Sequence, residues 1–288
     1  MGHAIGAVLH RHQIRVITSL QGRSARTTTL AKAAGFSDVS DDEVLVREAD
    51  VLLSILPPNR AYALAERVAA AVRATGTPLL FVDCNAIAPR TALAIEQVLS
   101  EAGASFIDGG IIGGPPRPGE AGPRLYTSGP RAAEIAELRA CGLDVRVLGL
   151  QSGQASGLKM CYASFTKGLT ALATGALVAG RTLGLQETLL AEFQALSLFS
   201  TIDRSVSGMP PKAYRWVGEM EEIARTFADL GLPARMAEGA ASLYHFVEGT
   251  VLGARIPEQH QHGQTLEEVV AILASALAEQ SSQGSGTS

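Results

Sequence analysis

From the first residues to about Leu150, short β-rich apolar runs alternate with helical patterns. That alternation predicts a parallel sheet covered by helices. The strands are expected at Ile14–Thr18, Val51–Leu56, Leu79–Asp83 and Ser105–Asp108, with later ones at Leu125–Ser128 and Val145–Leu148. Most are apolar at successive positions, as a strand buried between two helix layers must be. Helical periodicity places helices at Ala4–Leu9, Thr29–Ala34, Tyr62–Ala74, Thr91–Glu101 and Ala132–Cys141, and Gly76 and Gly103 act as stop signals.

After Gly153 the strand patterns cease, and helices follow, punctuated by Gly184, Met209-Pro210-Pro211, Gly231-Leu232-Pro233 and Ile256-Pro257. The segment Ser156–Leu183 is apolar nearly all round, which predicts a core or a subunit interface rather than a solvent-facing helix. A last helix is expected at Leu266–Glu279, before Gln, Ser and Gly too polar to order themselves. The pattern therefore predicts an α/β domain over 1–150, an all-helical substrate and dimerisation domain over 151–280, and a disordered tail over 281–288. A homodimer built mainly on the helical domain follows from the apolar helix.

Composition narrows the partners. A net charge of -4, with basic residues scattered, gives no general attraction for phosphate backbones, so nucleic acid is not expected. The apolar stretch Leu169–Leu185 is bracketed by Lys167 and Gln186 and interrupted by Arg181, which predicts a buried helix and no membrane span. No signal-peptide pattern precedes it. Cys84, Cys141 and Cys161 are too far apart for a close-spaced zinc motif and odd in number for a disulfide framework, which suits a reducing cytoplasm. His260 and His262 have no further ligand at metal spacing, so no metal is expected, and His245 beside Tyr244 and Phe246 reads as a packed or interface histidine.

The chemistry-bearing residues lie at expected strand ends. A dinucleotide-binding fold opens with a strand, then G-x-G-x-x-G, then a helix whose N-terminus meets the pyrophosphate. Here Met1-Gly2 runs straight into Ala4–Leu9. The expectation is that the first strand is missing and that Gly2 is the last glycine of that loop. Further on stand Ser54-Ile55-Leu56-Pro57, Asp83-Cys84-Asn85 with Pro89, Asp108-Gly109-Gly110-Ile111-Ile112-Gly113-Gly114, and Gly153-Gln154-Ala155-Ser156-Gly157-Leu158-Lys159. Together these motifs resemble the β-hydroxyacid dehydrogenase and 6-phosphogluconate dehydrogenase superfamily over about Met1–Gly253.

The resemblance implies a Rossmann-like doubly wound parallel sheet followed by an all-α domain. It also implies cofactor contacts at Gly2, Ser54, Leu56, Pro57 and Asn85, and a substrate segment at Ile112, Gly113 and Gly114. Ile112 stands where the family has a serine, which removes a hydroxyl donor for a substrate carboxylate. Lys159 matches the family's general acid and base, a role that suits a lysine whose partial burial tunes its pKa. Tyr162 falls where a His or Asn would orient substrate, and a core tyrosine explains it equally. The segment Arg215–Ile223 resembles a subfamily with an uncharacterised phosphogluconate-dehydrogenase-like C-terminal domain. Its glutamates suit a neutral or cationic substrate, or equally a solvated helix face.

Thr18–Arg26 contains no acid for the adenosine ribose but offers Arg23, Ser24 and Arg26 to a phosphate, which favours NADP over NAD; a surface turn with incidental arginines is the other reading. The sequence thus predicts a hydride-transferring oxidoreductase acting on a small hydroxy, carbonyl or imine substrate. The alternative is a truncated, non-catalytic dimeric homologue with impaired dinucleotide binding.

Overall fold

A computed structural model describes residues 1–117, 122–256 and 264–284. The chain divides into two compact units, Met1–Cys161 and Tyr162–Ser288. The first unit runs α1 (Gly2–Arg11), β1 (Ile17–Ser19), α2 (Ala25–Ala33), β2 (Ser37–Val39), α3 (Asp42–Glu48) and β3 (Val51–Ser54). It continues with α4 (Ala61–Thr75), β4 (Leu80–Asp83), α5 (Pro89–Ser100), β5 (Ser105–Ile112), β6 (Arg124–Ser128) and β7 (Asp144–Gly149), and ends in the first part of α6 (Gln154–Thr182).

Five strands form one sheet in the order β3-β4-β5-β6-β7, while β1 and β2 form a separate parallel pair. The sheet is covered on both faces. Phe81 and Phe106 pack with Val68, Val72, Ile95 and Leu99 of α4 and α5 on one side. Leu80, Val82 and Ile107 pack with Ile5, Val8 and Leu9 of α1 on the other. This alternation along β4 and β5 is the period of two that a strand between helix layers shows.

The sheet is mixed rather than wholly parallel, because β5 and β6 pair antiparallel. Their connection, positions 113–123, carries Pro115, Pro116 and Pro123 and has no described helix, and a parallel return needs a long crossover. Ser105–Asp108 also proves to be only the first half of a strand that continues through Gly109 and Gly110 to Ile112.

The expected strand Ile14–Thr18 begins three residues later, at Ile17. Gln13 takes a positive φ of 64°, Gln13 N–H donates to His10 O and Ile14 N–H to Leu9 O, so both residues close the end of α1. Glutamine is an uncommon residue in that left-handed position, so the sequence carried no stop signal there. Thr29–Ala34 is the last part of a longer helix, α2, capped by the Ser24 hydroxyl, which accepts from Thr27 N–H at 3.2 Å. The short polar β2 and the seven-residue α3 went unpredicted, although Asp41 caps α3 through Val44 N–H at 2.9 Å. Ala132–Cys141 holds a 3-10 helix, Glu134–Arg139, and not an α-helix. Bonds of i to i+3 type, such as Ala136 to Ala133 and Ala140 to Glu137, maintain it.

The second unit is helical: the remainder of α6, then α7 (Gln186–Gln194), α8 (Phe199–Ser207), α9 (Ala213–Asp229), α10 (Arg235–Glu248) and α11 (Leu266–Gly284). Helix α11 outruns its expected end at Glu279, so it takes in positions 281–284 of the expected tail, and 285–288 lie outside the described residues. Among the described residues no helix is long and apolar enough to cross a membrane. Leu172, Leu183 and Leu185 are exposed, so Leu169–Leu185 is not buried all round. His260 and His262 lie outside the described residues.

Candidate functional site

The carboxyl ends of β3, β4 and β5 bring three of the sequence motifs together. Ser54 ends β3 and Asp83 ends β4, and the parallel ladder sets them side by side. Asn85, just past β4, ties the two loops. Its side-chain amide donates to Ser54 Oγ at 2.8 Å and to Asp83 Oδ2 at 2.9 Å, and its Oδ1 accepts Leu56 N–H at 2.6 Å. Asp83 Oδ1 accepts Asn85 N–H at 2.8 Å, and Ser54 Oγ donates to Oδ2 at 3.4 Å. Ser54, Asp83 and Asn85 are buried. The polar groups of Ser54 and Asn85 therefore engage each other and the loop backbone, leaving the half-buried Leu56 and exposed Pro57 as the outer surface of the Ser54–Pro57 loop.

Burial raises the Asp83 carboxyl to about 7 against the hydrogen bonds from Asn85 and Ser54, with the Asp108 charge adding to the rise. The same burial, with the neighbouring Asp83 and Asp108 charges, pushes the Cys84 thiol well up and disfavours its thiolate.

The next strand holds the lysine helix. Asp108, the register partner of Asp83 on β5, is fully buried. Its Oδ2 accepts Ser128 Oγ at 2.9 Å, Gly153 N–H at 2.9 Å and Ser156 N–H at 3.0 Å, and its Oδ1 accepts the Ser156 hydroxyl. Ser128 Oγ in turn accepts Ala155 N–H at 3.0 Å. Gly110 lies beneath the same helix: a Cβ there would sit 2.8 Å from Ala155 O and 3.1 Å from Lys159 Cβ. Lys159 itself is half-buried. Ser128 and Ser156 carry no role legible in the sequence, where each is only a small polar residue, at a strand end and at a helix start.

Ile112 is buried on β5, while Gly113 and Gly114 are exposed beyond it. Gly113 has a φ of 123°, and a Cβ would meet Pro123 Cα at 3.1 Å, so glycine is required there by the turn itself. Tyr162, on α6 at the start of the second unit, is exposed. The core alternative for this tyrosine therefore does not hold within the single chain.

At the other edge, Gly2 opens α1 and lies against Ile55 of the Ser54–Pro57 loop. α1 has no side-chain cap and no acid in its first turn, which leaves its amino end favourable to an anion. Arg23, Ser24 and Arg26 are all exposed. Leu20–Arg23 is a tight turn, closed by Arg23 N–H on Leu20 O at 3.0 Å with Gly22 at a φ of 69°. Asp38 of β2 accepts Leu20 N–H at 2.9 Å. The fold thus supplies beside this loop an acid that the local sequence lacked.

In the second unit the Arg215–Ile223 segment is not a solvated face. Glu219 and Glu222 are buried on α9. Glu219 pairs with Lys167 Nζ at 2.6 Å, and that ammonium lies 5.1 Å from the centre of the Trp216 ring. Tyr244 donates to Lys167 O at 2.6 Å and meets Trp216 edge-on at 5.2 Å. Because Lys167 pairs with Glu219 and Arg225 with Glu222, neither buried glutamate is an uncompensated charge that would favour a cationic substrate, and Glu221 is exposed. His245 is solvent-facing, 3.4 Å from Glu248, and is neither packed nor buried.

Residues 1–140 match the NAD binding domain of 6-phosphogluconate dehydrogenase, and residues 181–247 match a domain of unknown function, DUF1932. The chain therefore joins an NAD-binding domain of the 6-phosphogluconate dehydrogenase kind to a DUF1932 domain. An uncharacterised 28.5 kDa protein of Methanothermus fervidus is 29% identical over 180 residues, 62% of this chain and 67% of that protein. A solved conserved protein of unknown function, described as structurally similar to 3-hydroxyacid dehydrogenases, is 28% identical, with a TM-score of 0.62 over 85% of this chain and 92% of its own. The 3-hydroxyisobutyrate dehydrogenase of Mycobacterium tuberculosis shares the fold at 17% identity, with a TM-score of 0.66 over 96% of this chain and 95% of its own. The architecture is accordingly a Rossmann-like NAD-binding domain followed by a helical domain.

Proposed function

We propose that this chain is an NADP(H)-dependent oxidoreductase acting on a small hydroxy, carbonyl or imine substrate, with Lys159 as general acid and base. The observation that carries the reading is the seat of Lys159. Its Cβ rests over Gly110, one strand from the Ser54–Asp83–Asn85 cluster, so the amine-bearing helix and the dinucleotide loops converge on one end of the sheet. Open α/β sheets bind ligands at the carboxyl ends of their strands.

The residues present fit a dinucleotide at both ends. Leu56, whose N–H is held by Asn85 Oδ1, and Pro57 would line the dinucleotide, and Gly2, against Ile55 of the same loop, would meet it from α1. Arg23, Ser24 and Arg26 offer a guanidinium, a hydroxyl and a second guanidinium to a ribose phosphate. Asp38 opposes that phosphate and would instead favour a free ribose hydroxyl, so NAD stays a competitor. The bound nicotinamide supplies or accepts the hydride. Lys159 delivers a proton to the substrate oxygen or nitrogen, or removes one, while Gly113 and Gly114 present backbone to the substrate and Tyr162 a phenol. With Ile112 buried and without a hydroxyl, recognition of a carboxylate falls to the glycine amides.

A homodimer belongs to the same reading. Along α6 and the turn that ends it, Tyr162, Phe165, Leu169, Leu172, Ala176, Ala179 and Leu183 recur at intervals of three and four residues with no charge among them. Phe165, Leu172 and Leu183 are 66%, 65% and 72% exposed in the single chain. This is the spacing of a helix–helix seam. Light scattering that gave a stable monomer at micromolar concentration would remove it.

A non-catalytic homologue is favoured by one feature: the β1–β2 pair shares no strand pairing with the five-stranded sheet among the described residues. NADPH and NADH titrations separate the readings. Aldehydes, ketones, hydroxyacids and imines are then screened by the absorbance of NADPH. Lys159→Met is expected to keep NADPH affinity and lower turnover roughly a hundred- to ten-thousandfold. Near-normal turnover in that variant would exclude Lys159 from the chemistry.

A further inference from the structure

We infer that Asp108 is a positioning residue for Lys159: through Ser156 and Gly153 its carboxylate fixes the rotation of the first turn of α6, and so the direction from which the lysine approaches. The inference rests on the assignment of Lys159 as the proton carrier.

A helix leaves its first backbone N–H groups without partners, and most helices satisfy them from a side chain at the adjoining position. Here the partners come from the sheet. Asp108 accepts the N–H groups of Gly153 and Ser156, and Ser128 accepts that of Ala155. The Ser156 hydroxyl and the Ser128 hydroxyl occupy the remaining lone pairs of Asp108, so this fully buried carboxylate meets four donors. An anion at a helix amino end is also favoured by the helix dipole.

Such a cap does more than end a helix. A local cap would turn with the helix, but Asp108 belongs to β5 and Ser128 to β6, so the two strands hold the turn against rotation. Lys159 stands three residues after Ser156, one turn on, where helical geometry transmits any rotation at Ser156. Gly110, two residues beyond Asp108 on β5, leaves the space in which Ala155 O and Lys159 Cβ rest. The register pairing of Asp108 with Asp83 completes the arrangement. One aspartate holds Ser54 and Asn85 on the dinucleotide side, and the other holds the lysine helix, so adjacent strands set the separation between the two functions.

The test reads the lysine directly and needs no substrate. The chain has four lysines, Lys32, Lys159, Lys167 and Lys212, so reductive methylation of the full chain with carbon-13 formaldehyde gives a short, assignable set of signals. Lys159→Met identifies the Lys159 signal. Ser156→Ala and Asp108→Asn are expected to move the Lys159 chemical shift and its titration midpoint while leaving Lys167 in place, and Ser156→Thr, which keeps the hydroxyl, is expected to restore the parent values. If Asp108→Asn fails to fold, the two Ser156 variants carry the comparison. An unchanged Lys159 signal in folded Ser156→Ala would overturn the inference, and so would a uniform movement of all four signals, which would mark a general loosening. Turnover of Lys159→Met is measured separately, so failure of the catalytic assignment and failure of the positioning role give different results.

Discussion

Gly110→Ala adds one methyl group at the place where β5 meets α6. Gly110 does not have a positive φ, so the backbone there accepts alanine, and the cost is one of space. The new Cβ would fall 2.8 Å from Ala155 O and 3.1 Å from Lys159 Cβ. The nearer atom is backbone and cannot swing aside. To restore ordinary contact the helix must retreat by roughly half an ångström, or the strand must bend, and overpacking of this kind costs about 1–3 kcal/mol. Asp108 opposes the retreat, since the hydrogen bonds to Gly153 and Ser156 stretch as the helix lifts. Gly114→Ala is the matched control, because nothing lies within 4 Å of a Cβ there and its φ is not positive. Thermal and urea unfolding of both variants beside the parent, with hydrogen exchange at Ala155 and Ser156, give the comparison. The expected result is a loss confined to Gly110→Ala, with faster exchange at the start of α6. Equal stability of the two variants would refute the packing argument and leave the glycine to be explained by ligand approach.

Asp83 makes stability depend on pH. Its folded pKa of about 7 lies above the ordinary 3.8, so between those values the folded chain holds a proton that the unfolded chain has lost. Its contribution is therefore complete below about pH 4 and is lost as pH rises towards 7, on the order of a few kcal/mol, and urea titrations across that window should lose this slope in Asp83→Asn. Arg23→Ala should weaken NADPH roughly tenfold and leave NADH almost unaffected, while Asp38→Asn should favour NADPH; equal loss for both cofactors in Arg23→Ala would displace the phosphate assignment. Glu219→Gln strands the Lys167 ammonium in the helical core and should cost about 3–5 kcal/mol, whereas the double variant with Lys167→Met should recover much of it, a coupling that a double-mutant cycle by urea unfolding measures directly.

Elements whose signals are local could be read directly from the residues. Two-sided apolar runs marked β3, β4 and the start of β5, and the helices α4 and α5 announced their ends through Gly76 and Gly103. The motifs at Ser54–Pro57, Asp83–Asn85 and Gly153–Lys159 were legible because each needs particular residues at fixed spacing. The end of α1 was not legible, since Gln13 adopts a conformation its residue type does not advertise. Gly109 and Gly110 read as loop, yet they are strand, because the close approach of Asp83 O and Ala155 O demands small residues whatever the local propensity. Tertiary structure alone decided what each polar side chain does. Asp108 meets residues forty-five and forty-eight positions away, Asp38 reaches the turn at Leu20, and Lys167 enters a core beside Trp216 and Glu219. Hydrophobic periodicity records which face of an element is buried, but a hydrogen bond or ion pair depends on which strand or helix the fold sets opposite, and no local pattern encodes that neighbour.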